Sequence, residues 1–357
     1  MPPAISPEVL QVDRELHALY ERVPFSRYLN PLNAREARRA FRAGAEVPPL
    51  RYHQATWAER ELSVLDALRP PEDHPLGQIL AKAIRGTTLF IRALNERSVE
   101  AFDELALHSN WYPDAETLHA ARGEAPARDQ APFALSARDM TVALEDALRE
   151  RGLADWRIEA DPVMSARVLV DGAKRLLRVS PSATFRERDI NRLIVHEVEV
   201  HAIRSANGRN QPLRIFSTGL PGSLETEEGL ALYAEELSGS SSPGTAWRQG
   251  VVVQAVDWAR RMGFRELYDA IAETAGPGLA WGVAERLKRG LADPGKPGVY
   301  AKDIVYYRGH RKVKTWVEAG NPIAHLYVGK VGVEDPVAEW LDAGLITLQP
   351  VPRTFRH

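Results

Sequence analysis

The stretch Leu193-Ile194-Val195-His196-Glu197-Val198-Glu199-Val200-His201 puts two imidazoles and two carboxylates directly after an apolar approach. Twenty-seven residues beyond His201 stands Glu228, within Thr226-Glu227-Glu228-Gly229-Leu230-Ala231. A zinc hydrolase needs three protein ligands, an open position for water and a base for that water's proton. These residue types supply such a set. The apolar run before His196 implies a buried segment, and buried charges need partners or a metal. The competing explanation is a polar cluster satisfied within itself.

The spacing constrains the geometry. Positions four apart on an α-helix differ by about 40° and positions five apart by about 140°. His196 and His201 are five apart, so an ideal α-helix would not aim both at one ion. A local widening of the π type, often found at functional sites, would bring them together. The alternative facing pair is Glu197 and His201, four apart. The two-histidine reading is preferred because neutral imidazole is the better zinc ligand and Glu197 is then free to act as base. The third ligand is expected from a second helix with Glu227 and Glu228 in its first turn. Gly229, lacking a side chain, would let that helix approach the first. Glu228 is the choice, with Glu227 as the alternative or as support behind a ligand.

The rest of the 357-residue chain reads as an ordinary globular protein with 44% apolar and 26% charged residues. A net charge of -2 gives no global reason to expect nucleic acid or an acidic membrane as partner. The absence of cysteine excludes disulfides, thiolate zinc ligands and thiol catalysis, so any metal must use His, Asp or Glu. Met1-Pro2-Pro3-Ala4-Ile5 has neither a basic nor an apolar leader region, and no apolar run approaches the ~20 residues that span a bilayer. A cytoplasmic protein is the expectation.

Helical periodicity marks residues 8–22 and 76–107. Residues 34–44, with Arg35, Arg38, Arg39 and Arg42, read as a solvated basic helix. The turn-rich stretch 109–134 suggests a boundary, with an N-terminal helical region at 1–125 and the catalytic domain at 126–357. Ser136 and Asp139 open a helix, and Thr184-Phe185-Arg186-Glu187 reads as a capping box for the helix that carries His196. Residues 166–170 and 175–179 flank Asp171-Gly172-Ala173 as a hairpin. The fold class is α+β and mostly helical, with a small antiparallel sheet.

Residues 193–237 resemble the bacterial family with a QEGLA motif (domain of unknown function 1704). That family is similar to the microtubule-associated tyrosine carboxypeptidase that removes the C-terminal tyrosine of α-tubulin. The matching residues are 193–201, Asn207-Gly208, Gln211-Pro212-Leu213-Arg214 and Glu227-Glu228-Gly229-Leu230-Ala231. Lys302-Asp303-Ile304-Val305-Tyr306-Tyr307-Arg308-Gly309 is a further family-like block, and the likeness extends over roughly 130–350. The resemblance implies zinc held by His196, His201 and Glu228, Glu197 as catalytic base, and a zincin-like core. The chain departs from the family at Glu199-Val200, where Gly-Thr is usual. Glu199 is expected to face away from the metal, pair with Arg192 or Arg204, or reshape the substrate pocket.

The function so implied is a zinc-dependent metallopeptidase, specifically a carboxypeptidase acting on a peptide or protein C-terminus, with an aromatic leaving residue in view. Arg214, Lys302 and Arg308 are candidates for reading the terminal carboxylate, and Tyr306 or Tyr307 for stabilising the oxyanion. The basic excess at 296–314 could attract acidic peptides. The alternatives are a dedicated endopeptidase and a non-catalytic binding protein with a structural metal site. Glu197 argues against the latter, since a silent site has no need for a base.

Overall fold

The computed structural model describes residues 5–127, 129–164 and 166–356. Helices dominate. The first, Pro7–Arg22, is capped by the Ser6 hydroxyl, which accepts from the N–H of Val9 at 3.3 Å. The periodic stretch at 76–107 is two helices, Pro75–Glu96 and Val99–His108. Arg97 between them adopts φ 53°, and the Ser98 hydroxyl caps the second helix, a start signal hidden inside continuous periodicity. The arginine-rich helix Ala34–Arg42 is not simply solvated. It buries Ala37 and Phe41, and Phe41 packs edge-on against Phe264 at 5.1 Å.

Among the described residues are five short strands, β1 (Leu135–Ser136), then after the helix Ala137–Glu150 β2 (Arg157–Ala160), β3 (Val168–Asp171), β4 (Leu176–Val179) and β5 (Thr184–Phe185). β3 and β4 form the expected antiparallel hairpin, with Val168 opposite Val179. The sheet is mixed rather than antiparallel throughout, because β2 lies parallel to β4 on its other side, giving the order β2-β4-β3. β1 and β5 pair separately. Thr184 therefore lies in a strand and does not cap the next helix, Glu187–Leu193. That helix begins two residues later than Thr184 implied, with Asp189 accepting from the N–H of Arg186 at 3.1 Å.

The segment that follows, Ile194–Ala202, is buried from two sides. Val195 and Val200 join a core that also contains Leu16, Leu80, Phe216 and Leu230. Leu193, Val198 and Ala202 join a second core with Leu144, Leu177 and Phe185 from the sheet side. N-terminal and later helices thus share apolar surface. Asp13 adds a polar tie, accepting from the N–H groups of Arg214 at 2.7 Å and Ile215 at 2.9 Å. No helix among the described residues is long and apolar enough to cross a membrane.

The helix Ser223–Leu237 runs beside this segment and packs on Ile304–Glu318. Gly229 governs that second contact rather than the approach to the His196 segment. A Cβ on Gly229 would lie 2.1 Å from the backbone carbon and oxygen of Gly309. Gly229→Ala must push two helices apart, and overpacking of this kind costs about 1–3 kcal/mol. Chemical denaturation should register that loss; unchanged stability would overturn the account of this contact.

Candidate active site

The nine residues Ile194–Ala202 form a π-helix. Its i→i+5 hydrogen bonding stacks residues five apart, and the sequence repeats at that interval: Leu193 with Val198, Val195 with Val200, His196 with His201. One widening therefore aligns two apolar faces and a histidine pair together. The imidazole centroids lie 4.9 Å apart. Glu197 and His201 are not the facing pair.

The helix Ser223–Leu237 supplies the third donor from its second turn, not its first as the sequence suggested. Glu228 Oε2 lies 3.8 Å from His196 Nε2 and 3.7 Å from His201 Nε2. All three donor atoms fall within 4.8 Å of one another. Tetrahedral zinc with bonds of about 2.0–2.1 Å spaces its donors about 3.3 Å apart, so a small contraction would bring the three into bonding distance.

The groups behind the histidines fit a metal as well. His196 Nδ1 donates to Glu235 Oε1 at 2.8 Å, and His201 Nδ1 donates to Glu227 Oε1 at 2.7 Å. Each such bond fixes the tautomer and turns an Nε2 lone pair toward Glu228. Burial acts to lower the pKa of His196. The Glu235 hydrogen bond and the charges of Glu197, Glu235 and Glu228 outweigh it and raise the value to about 9. The pocket thus favours a positive charge at its centre. Glu227 itself is held well below the usual carboxylate range: burial opposes this, but Lys330 and Arg204 prevail. Lys330 Nζ lies 3.0 Å from Glu227. Arg204, fully buried, bonds Glu227 and the carbonyls of Leu326 and Val331.

Glu197 is buried, yet its carboxylate forms no hydrogen bond or ion pair among the described residues. Its charge acts on His196 and Tyr306. Tyr306 is partly exposed, and burial plus the charge of Glu228 keep its phenol protonated well above the usual range. Tyr307 is engaged elsewhere, donating to Glu124 at 2.9 Å.

The other cations are placed unevenly. Lys302 has no hydrogen bond or ion pair among the described residues; burial lowers its pKa, against the attraction of Glu228. Arg308 grips Glu225 at 2.7 and 2.9 Å and also bonds the Asn110 carbonyl. The Arg214 side chain is exposed, near Asp13 and His17 on the first helix. Lys312 pairs with Glu334 and Lys314 with Glu236, both at 2.6 Å, so part of the basic excess of 296–314 is neutralised by other elements.

Two cavities flank the site. A cleft of about 1100 Å³ is lined by His196, Glu235, Tyr306, Arg192, Arg248 and Arg286, among others. A second, of about 570 Å³, is lined by Phe25, Phe90, Trp111 and Tyr300 together with Lys302 and Lys330. Strand β3 bridges them: Arg167, just before it, borders the cleft, and Leu169–Asp171 border the second cavity. β3 pairs only with β4 among the described residues, which leaves one strand edge unpaired.

Glu235, Arg192 and Lys330 around the ligands were not assigned these roles by the sequence. Glu235 was findable, being seven residues beyond Glu228 and so about 20° away on one helix face. Lys330 was not, because its contact arises only from folding.

A family model described as microtubule-associated tyrosine carboxypeptidase matches residues 43–356. The chain is 26% identical over 184 residues to mouse microtubule-associated tyrosine carboxypeptidase 1, covering 50% of this chain and 39% of that protein. It is 29% identical over 158 residues to a human putative tyrosine carboxypeptidase, covering 43% and 30% respectively. The chain thus aligns with less than half the length of these curated relatives.

Proposed function

The chain belongs to the microtubule-associated tyrosine carboxypeptidase family, and from that premise we propose that it is a zinc-dependent carboxypeptidase releasing an aromatic C-terminal residue from a peptide or protein. The observation that carries this reading is the π-helix, which converges His196 and His201 on Glu228, with Glu197 beside His196 and without a hydrogen-bond or ion-pair partner among the described residues. Zinc held by these three side chains would polarise the scissile carbonyl and bring the pKa of a bound water to about 7.

The chain's own groups then divide the work. Glu197 takes the proton of the attacking water on its carboxylate and passes it to the departing amine. Tyr306, kept protonated, donates its O–H to the oxyanion. Lys302 holds the terminal carboxylate. Its ammonium has no ion-pair partner among the described residues, lies near Glu228 and borders the aromatic cavity, which suits the leaving side chain. The free edge of β3 offers backbone groups to an extended peptide running from the arginine-lined cleft into that cavity.

The test compares a peptide ending in tyrosine with its C-terminal amide. Wild-type protein should cleave the acid and spare the amide. Lys302→Ala should lose roughly 10- to 100-fold in kcat/KM on the acid, the worth of one charge-assisted hydrogen bond. Equal cleavage of acid and amide would reassign the protein as an endopeptidase.

A further inference from the structure

The least expected residue of the motif, Glu199, is neither a ligand nor a lining group of the cleft. It is 3% exposed, and its carboxylate is bonded to groups outside the donor set. Its Oε1 accepts from Arg151 Nε at 2.9 Å and from a terminal nitrogen of the same guanidinium at 2.7 Å. Its Oε2 accepts from the Thr354 hydroxyl at 2.5 Å. Its backbone carbonyl accepts from the Tyr327 hydroxyl at 3.2 Å. The partner is thus neither Arg192 nor Arg204; both are engaged by the carboxylates behind the histidines.

These contacts come from three separate places. Arg151 terminates the helix Ala137–Glu150, Thr354 lies in the short turn Arg353–Phe355, and Tyr327 ends another short turn. Phe355 closes the brace, its ring 5.6 Å from that of Tyr327. Arg151, Thr354 and Tyr327 all grip one residue inside the nine-residue π-helix, three positions after one histidine and two before the other.

A π-turn is a rarely populated helix form that needs support from its surroundings. Relaxation toward α-helical geometry would swing His201 from alignment with His196 to about 140° away. Contacts made on the outward side at Glu199 oppose that relaxation.

We propose that Glu199 is a positioning residue: its ion pair with Arg151 and hydrogen bond from Thr354 hold the π-turn in the register that brings His196 and His201 together. The Arg353–Phe355 turn is thereby coupled to the metal site. This rests on the metallopeptidase reading of the site, but one arm of its test does not.

The experiment uses the full chain with Thr354→Val, which removes one hydrogen bond and keeps the side-chain shape, and Glu199→Gln. In metal-free protein, amide exchange across Ile194–Ala202 should speed up in both variants, while the distant helix Phe264–Ala275 stays as protected as in wild type. Zinc affinity, read by chelator competition, should weaken by roughly 10-fold or more, as for partners behind metal ligands elsewhere. The kcat should fall with KM little changed. Folded variants with wild-type exchange and wild-type zinc affinity would overturn the proposal. If the wild-type protein takes up no zinc, the peptidase reading fails, while the exchange result still decides whether Glu199 braces the π-turn. Exchange slowed across Ile194–Ala202 would also overturn it, as would exchange quickened equally in the distant helix, which would make the ion pair a general stability contact.

Discussion

Glu197→Gln should lower kcat on a tyrosine-terminated peptide by about 10²–10⁴-fold, the usual worth of a positioned general base, while the protein still binds one equivalent of zinc. The substitution keeps the size of the side chain and removes only its capacity to take a proton. Glu197 has no hydrogen-bond or ion-pair partner among the described residues, so its neutralisation strands no cation. Its negative charge is one of three that raise the pKa of His196. Losing it should ease proton loss from His196 and leave zinc uptake intact. Zinc content by elemental analysis and steady-state kinetics on one preparation read both halves. Full activity in the variant would remove Glu197 from the mechanism, and would turn attention to a base outside the π-helix.

Glu228→Ala should abolish both zinc retention and hydrolysis. Two histidines alone cannot make the three-ligand site that catalytic zinc requires, and, Glu197 apart, the neighbouring carboxylates are committed. Glu227 is bonded to His201 and Arg204, and Glu235 to His196 and Arg192. The loss in affinity should exceed that of Glu235→Gln, which disturbs only the orientation of His196 and falls in the 10- to 100-fold range. Dialysis followed by metal analysis separates the two variants. Stoichiometric zinc in dialysed Glu228→Ala protein would mean that the third donor is a different group.

Much of this site could be read before folding was considered. Histidines five apart after an apolar run demanded either a widened helix or a different pair of ligands, and the structure has a π-helix there. The hairpin at 168–179 followed from alternation around Asp171-Gly172. Other signals misled for identifiable reasons. Thr184 matched a cap pattern but is drawn into a strand with Ser136. Arg35–Arg42 looked solvated because its charges outnumber the two residues, Ala37 and Phe41, that it buries. Arg308 stood in a family-like block beside Lys302, yet Glu225, on a different helix, takes it up.

By itself the sequence determined the chemistry on offer: two imidazoles, carboxylates between them, a glutamate with a glycine behind it, and no thiol. Such identities and short spacings are properties of local chain geometry, which a linear reading reaches. Tertiary structure decided which of the chain's carboxylates joins the two imidazoles as a possible metal donor, which bond the histidines and which is held elsewhere. Glu227, Glu228, Glu235 and Glu199 are chemically near-identical. Their roles differ only through what packs against each: Arg204 and Lys330 at Glu227, Arg192 at Glu235, Arg151 and Thr354 at Glu199, and both imidazole Nε2 atoms at Glu228. Two of those partners, Lys330 and Thr354, lie more than a hundred residues away along the chain, and only folding brings them within hydrogen-bonding range.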